Sequence, residues 1–144
     1  MREAALAAGG RGDAAEGGLL ARPVSLELAP GEVVDFRPDP AVFPAGSKVF
    51  LSHIAGRPLP AQAEAARRLK EAGFCPVPHL GARNYGSDAE FADHVRRLSA
   101  AGVEEALFVG GNPATPHGPL TEAGELLAHP VLADSTLRVA HLAV

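Results

Sequence analysis

The chain has 144 residues, 47% of them hydrophobic, which is material for one domain with a core. Charged residues make up 21% and the net charge is -4, so neither a nucleic-acid face nor a patch for anionic membranes is expected, and partners are small molecules or protein. The single cysteine, Cys75, excludes an internal disulfide and fits a reducing, cytoplasmic compartment. No apolar run approaches the roughly 20 residues that span a bilayer, and the first residues lack the apolar core of a signal peptide.

Residues 1–22 hold seven alanines and five glycines among scattered charges, and read as a disordered leader before a domain over 23–144. Glu3, Asp13 and Glu16 argue against a transit peptide. A first strand is predicted between Pro23 and Pro30, where Val24, Leu26 and Leu28 alternate with Ser25 and Glu27. Glu27 then points away from the apolar side. In a barrel that is the interior mouth; in an ordinary sheet it is a solvated position. Gly31 to Gly46, rich in proline, reads as loop with an extended piece at Val33 to Phe36.

Lys48 to Ser52 is a second strand, followed by His53. Pro60 to Ala72 is predicted helical, with Ala61, Ala65, Leu69 and Ala72 on its apolar side, cations near its end and Gly73 as its stop. Phe74 to Leu80 is a third strand despite Pro76 and Pro78, with Val77 and His79 on one face. Ser87, Asp88, Ala89 and Glu90 have capping-box form and open a helix whose stripe is Phe91, Val95 and Leu98, ended by Gly102, with His94 on the surface.

Ala106 to Val109 is a short apolar run suited to a strand buried on both faces, ended by Gly110, Gly111, Asn112 and Pro113. Taken alone that is a plain turn; in a parallel α/β protein it is where ligands bind. A helix over about Thr121 to Ala128, anchored by Leu126 and Leu127, and a fifth strand over Leu137 to Val144 follow. Gly73 and Gly102 each close an amphipathic segment and lead into an apolar run, a repeating helix–Gly–strand unit, and the order of elements is that of parallel βαβ units.

Four patches carry a resemblance in order. Ser25 to Pro30, with Glu27 at its centre, resembles the first-strand Glu-Phe-Phe-Pro motif of the methylenetetrahydrofolate reductase family, and Val49 to Ser52 resembles its second strand. Pro78, His79 and Leu80 are similar to the Pro-His-Leu of its third strand, and Gly110 to Pro113 to the Arg-Gly-Asp-x-Pro turn after its fourth. The resemblance implies a parallel (β/α)8 barrel of TIM type, of which about the first five strands are present, with FAD as cofactor and NAD(P)H as reductant. The implied reaction carries hydride from nicotinamide to flavin, then to the one-carbon unit of a folate or related pterin.

By the same resemblance Glu27 is the catalytic acid that helps open the folate ring to an iminium ion, a task suited to a partly dry barrel mouth. Ser52, His53, His79, Gly110, Gly111 and Asn112 fall at flavin-binding positions. Asn112 stands for the family's aspartate and removes a negative charge, which eases formation of an anionic reduced flavin and weakens attraction for a cationic folate intermediate. Gly110 replaces an arginine, and Ser52 with His53 replace threonine and tyrosine. A (β/α)8 barrel takes about 250 residues, so this chain cannot close one alone. Its open edge is expected to pair with a further copy or a second chain.

Two other readings compete. A degenerate, non-catalytic homologue would bind folate or a protein partner without turning it over. A metal-dependent hydrolase would gather His53, His79 and His141, each near a strand end, around one ion with an open position.

Overall fold

A computed structural model describes residues 24–143; the expected leader, Pro23 and Val144 lie outside them. Five strands, β1 (Leu26–Leu28), β2 (Lys48–Leu51), β3 (Cys75–Gly81), β4 (Glu105–Val109) and β5 (Val139–Leu142), form one all-parallel sheet in the order β1-β2-β3-β4-β5. The order follows the chain without reversal. Between the strands lie α1 (Leu59–Glu71), α2 (Asp88–Ala100) and the short α3 (Ala123–Leu127).

The pairing register sets the two faces of the sheet, because side chains alternate along each strand. Val49, Leu51, Pro76, Pro78, Leu80, Ala106 and Phe108 share the face that the helices cover, and most join one apolar cluster with Ala66, Leu69, Phe91, Val95, Leu98 and Leu126. Glu27, Phe50, Val77, His79, Glu105, Leu107 and His141 share the other. Thus β4 is buried on its helix face and only half-buried on the other, not enclosed on both as its apolar run suggested. No described helix is long and apolar enough to cross a membrane.

The repeated Gly has a geometric cause. At the end of α1, Gly73 (φ +91°) lets Phe74 N–H donate to Leu69 O and Gly73 N–H to Lys70 O; at the end of α2, Gly102 (φ +80°) does the same for Val103 to Leu98 and Gly102 to Ser99. Both are Schellman closures, which need a left-handed residue, and each turns the chain straight into the next strand. The two β3 prolines are tolerated for a related reason. Cys75 N–H donates to Ser47 O, so the amides that Pro76 and Pro78 lack would face β4, and β3 pairs with β4 only from His79 onward.

Three local expectations are corrected. Val33 to Phe36 is not extended: Pro30–Asp35 is a 3-10 helix, opened by Pro30 and by Glu32 accepting Ala29 N–H, with Val33 buried. The buried side of α1 is Gln62, Ala63, Ala65, Ala66 and Leu69, with one polar side chain in a core position, while Ala61 and Ala72 are exposed. Leu126 is buried but its neighbour Leu127 is exposed. At α2, Ser87 Oγ accepts Glu90 N–H as predicted, while the Glu90 carboxylate reaches back to Gly86 N–H.

Candidate functional site

Glu27 and His79 come together on the face without helices. Their strands are separated by β2, whose Phe50 lies in register with Glu27 and packs edge-on to His79 at 5.9 Å. His79 Nε2 lies 3.3 Å from Glu27 Oε2. Burial lowers the His79 pKa and the Glu27 carboxylate only partly restores it, so the ring is neutral at pH 7. Glu27 itself is 59% exposed among the described residues, which corrects the expectation of a dry mouth: β1 is an edge strand of the sheet.

Nearer the strands' amino ends the same face carries a second polar group. Glu105 accepts from Lys48 Nζ at 2.7 Å and the Cys75 thiol at 3.4 Å, and pairs with His141 Nε2 at 2.8 Å. Burial raises the Glu105 pKa, but these three partners outweigh it and hold the carboxyl at about 2. Burial, and then the Glu105 charge, push the Cys75 thiol up, so it is protonated at neutral pH.

At the carboxyl ends of the strands, Gln62 ties β2 to β3. Its Nε2 lies 3.1 Å from each of the carbonyls of Leu51, Ser52 and His79. His53 Nδ1 accepts Gly81 N–H at 3.1 Å, which leaves the ring proton on Nε2, and Asn84 Nδ2 donates to the His53 carbonyl. Burial, then the neighbouring His79, drop the His53 pKa to about 4. Asn84 also explains one bare position, since a Cβ on Gly81 would lie 2.9 Å from its Nδ2, whereas Gly111 is bare because its backbone is left-handed (φ +100°).

His79, Gly110, Gly111 and Asn112 line one open cleft of about 640 Å³ at the ends of β3 to β5, together with Arg83 and Thr121. Ser52 and His53 line a different, smaller cleft. Of the predicted residues, the structure therefore joins Glu27 to His79 by contact and His79 to Gly110–Asn112 by a shared wall, but sets Ser52 and His53 to one side. His53, His79 and His141 do not converge. His53 bonds Gly81, His79 faces Glu27, His141 bonds Glu105, and no three His, Cys, Asp or Glu side chains gather as a metal site among the described residues.

Sequence reasoning missed Arg83, whose backbone N–H donates to Gly110 O at 2.8 Å and whose Nε donates to Thr121 O, bracing the turn after β4. It also misplaced His94. Phe91, His94, Val95 and Leu98 follow the i, i+3, i+4, i+7 rule, so His94 belongs to the buried stripe, and it is fully buried with Nδ1 2.8 Å from the Tyr85 hydroxyl. Burial drops its pKa to about 3. No family model matches the chain.

Proposed function

We propose that this chain forms part of a flavin-dependent (β/α)-barrel reductase that passes hydride from NAD(P)H to the one-carbon unit of 5,10-methylenetetrahydrofolate or a related pterin. The observation that carries the proposal is the Glu27–His79 pair, set at the carboxyl ends of two parallel strands beside a cleft floored by Gly110 and Gly111. The unreversed strand order, with every helix on one face, supports a barrel type rather than a doubly wound sheet, whose order reverses at a switch point.

The cleft residues fit a flat aromatic cofactor. Its volume of about 640 Å³ falls in the roughly 300–1,000 Å³ range of ligand pockets, and a Cβ on Gly110 would meet nothing closer than 3.9 Å, so bare backbone faces open space. Flavin, when bound, supplies hydride acceptance and donation. Asn112 offers an amide to a heterocycle edge, His79 a neutral ring wall, and Arg83 brings a cation to the cleft where Gly110 leaves none. Glu27, beside His79, is positioned to deliver a proton to a substrate nitrogen. The phenyl ring of Phe50, held between the two strands, supports His79 from below.

The test is retention of FAD by the purified chain through gel filtration, read as flavin absorbance. Wild type is expected to keep flavin and Gly110→Val to lose it, since the added side chain enters the cleft without a backbone clash. A folded chain that holds no flavin overturns the proposal. The exposure of Glu27 favours a second reading, a homologue that binds folate without reducing it. That reading is chosen if flavin is retained and NAD(P)H is oxidised, but folate is bound and not turned over. In the reductase, Glu27→Gln lowers folate reduction while NAD(P)H oxidation continues.

A further inference from the structure

The ladder between β2 and β3 stops before β3 does. Its last register pair is Leu51 with Pro78, whereas β3 runs on to Gly81. Alternate residues of a strand send their N–H groups to opposite sides, and Cys75 N–H donates toward β2, to Ser47 O, so Gly81 N–H points the same way where the ladder has ended. His53 Nδ1 stands in for the missing strand carbonyl, accepting that N–H at 3.1 Å. The ring is neutral at pH 7, so Nδ1 keeps its lone pair. It is also wedged in place, with the buried rings of Tyr85 and His94 at centroid distances of 5.0 and 5.8 Å. The His53 carbonyl accepts Asn84 Nδ2 at 3.2 Å, so residue 53 holds both ends of the segment 81–84.

That segment is the underside of the large cleft's floor. Arg83 N–H donates to Gly110 O at 2.8 Å, and a Cβ on Gly81 would lie 3.3 Å from Gly111 Cα, so the two glycine backbones lie side by side. Gly110 and Gly111 line the cleft on their other side, whereas His53 and Asn84 do not line it. Any effect of His53 on the cleft therefore passes through the glycines. Without Nδ1, Gly81 N–H loses its acceptor, and regaining one requires a shift of the backbone on which Gly111 rests.

We propose that His53 is a positioning residue of the large cleft: through Gly81 and Asn84 it fixes where the Gly110–Gly111 backbone lies, and with it the surface offered to the cofactor ring. That the ring is a flavin rests on the function proposed above; the hold on Gly110 and Gly111 does not.

The test uses the isotope-labelled full chain with two substitutions, His53→Asn, whose Oδ1 can accept where Nδ1 did, and His53→Leu, which cannot accept. In the ligand-free protein His53→Leu is expected to speed amide exchange of Gly81 and Arg83, followed by NMR, about tenfold relative to that of Leu69 in α1. His53→Asn is expected to leave both within about twofold of wild type. With FAD added, Kd is expected to rise about tenfold in His53→Leu and to recover in His53→Asn, a rescue that general loss of stability would not give. Should His53→Leu fail to fold, Asn84→Ala removes the second bond to residue 53 and is expected to give the same two changes. Exchange that rises equally at Leu69, or at none of these amides, overturns the proposal. So does flavin affinity that is the same in wild type and His53→Leu. A wild type that binds no flavin overturns the function proposed above instead, and the exchange of Arg83 then decides the role of His53.

Discussion

On the helix-covered face of the sheet Val49, Leu51, Leu80, Ala106 and Phe108 are at most 1% exposed, whereas on the opposite face Glu27, His79, Glu105 and His141 keep contact with water and meet as two carboxylate–imidazole pairs, Glu27 with His79 and Glu105 with His141. One backbone carries both, because the period of a strand sends alternate residues to opposite sides. Apolar burial on the first face supplies the folding free energy. The second is then free to hold titratable groups that a core could not tolerate unpaired. The largest effects should therefore come from the helix face. Phe108→Ala is expected to cost about 3–5 kcal/mol in urea unfolding, and Phe50→Ala, on the half-buried face, less than half of that. Equal losses would break the division between the faces.

The exception on the covered side is the cluster of Tyr85, His94 and His53, whose rings lie within 5.8 Å of one another. Both histidines are neutral in the fold, with pKa values of about 3 for His94 and about 4 for His53 against an ordinary 6.5, and burial is the main cause of each shift. Below pH 6.5 the unfolded chain binds protons that the folded chain refuses. Stability is then complete above pH 6.5 and falls as pH drops toward those lower values, by up to about 1.4 kcal/mol per pH unit for each histidine. Unfolding of His94→Gln, measured at pH 7 and pH 5, is expected to show a shallower decline than wild type. An identical decline would mean that His94 is already protonated in the fold.

Glu105 makes the corresponding case on the open face, with the window moved to lower pH. Its carboxyl is held at about 2, so its contribution is present above the ordinary carboxyl value near 4.5 and is lost between 4.5 and 2. Glu105→Gln should cost about 1–2 kcal/mol at pH 7 and nothing at pH 2. It should also speed reaction of Cys75 with a thiol reagent, since the Glu105 charge is one cause of the raised thiol pKa. A wild type that unfolds with the same midpoint at pH 4.5 and pH 2 would show that the network adds no stability.

The elements most legible in the sequence were those whose signals are local. Gly73 and Gly102 announce Schellman closures, Ser87 and Glu90 a helix start, and the alternation at Val77 and His79 a strand face. What stayed hidden depended on partners far along the chain. Gln62 looks like an interruption of an alanine-rich stripe until the carbonyls of Leu51, Ser52 and His79 are seen beside it. Glu105 reads as a boundary charge, because Lys48, Cys75 and His141 come from three other strands. His94 was legible by spacing alone: three residues after Phe91 and four before Leu98 it joins the buried stripe and does not face away from it, and Tyr85, nine residues earlier, answers its polarity. For the candidate site, Glu27 and His79 could be named from motif, while the separation of Ser52 and His53 into another cleft follows from the turn after β1 and the start of α1, which no motif marks.

The smallest expected effect on stability belongs to the residue on which the proposed chemistry depends most. Glu27 is largely exposed and its pairing with His79 is loose, at 3.3 Å, so solvent screens most of their attraction. Glu27→Gln is expected to shift unfolding by less than about 0.5 kcal/mol, read from the same urea curves as Phe108→Ala. A near-silent substitution in unfolding that still removes folate reduction would place Glu27 outside the scaffold and inside the chemistry. A loss above about 1 kcal/mol would instead make the Glu27–His79 pair a clasp for the free edge of β1, and the open face would then share the structural duty assigned here to the helix side.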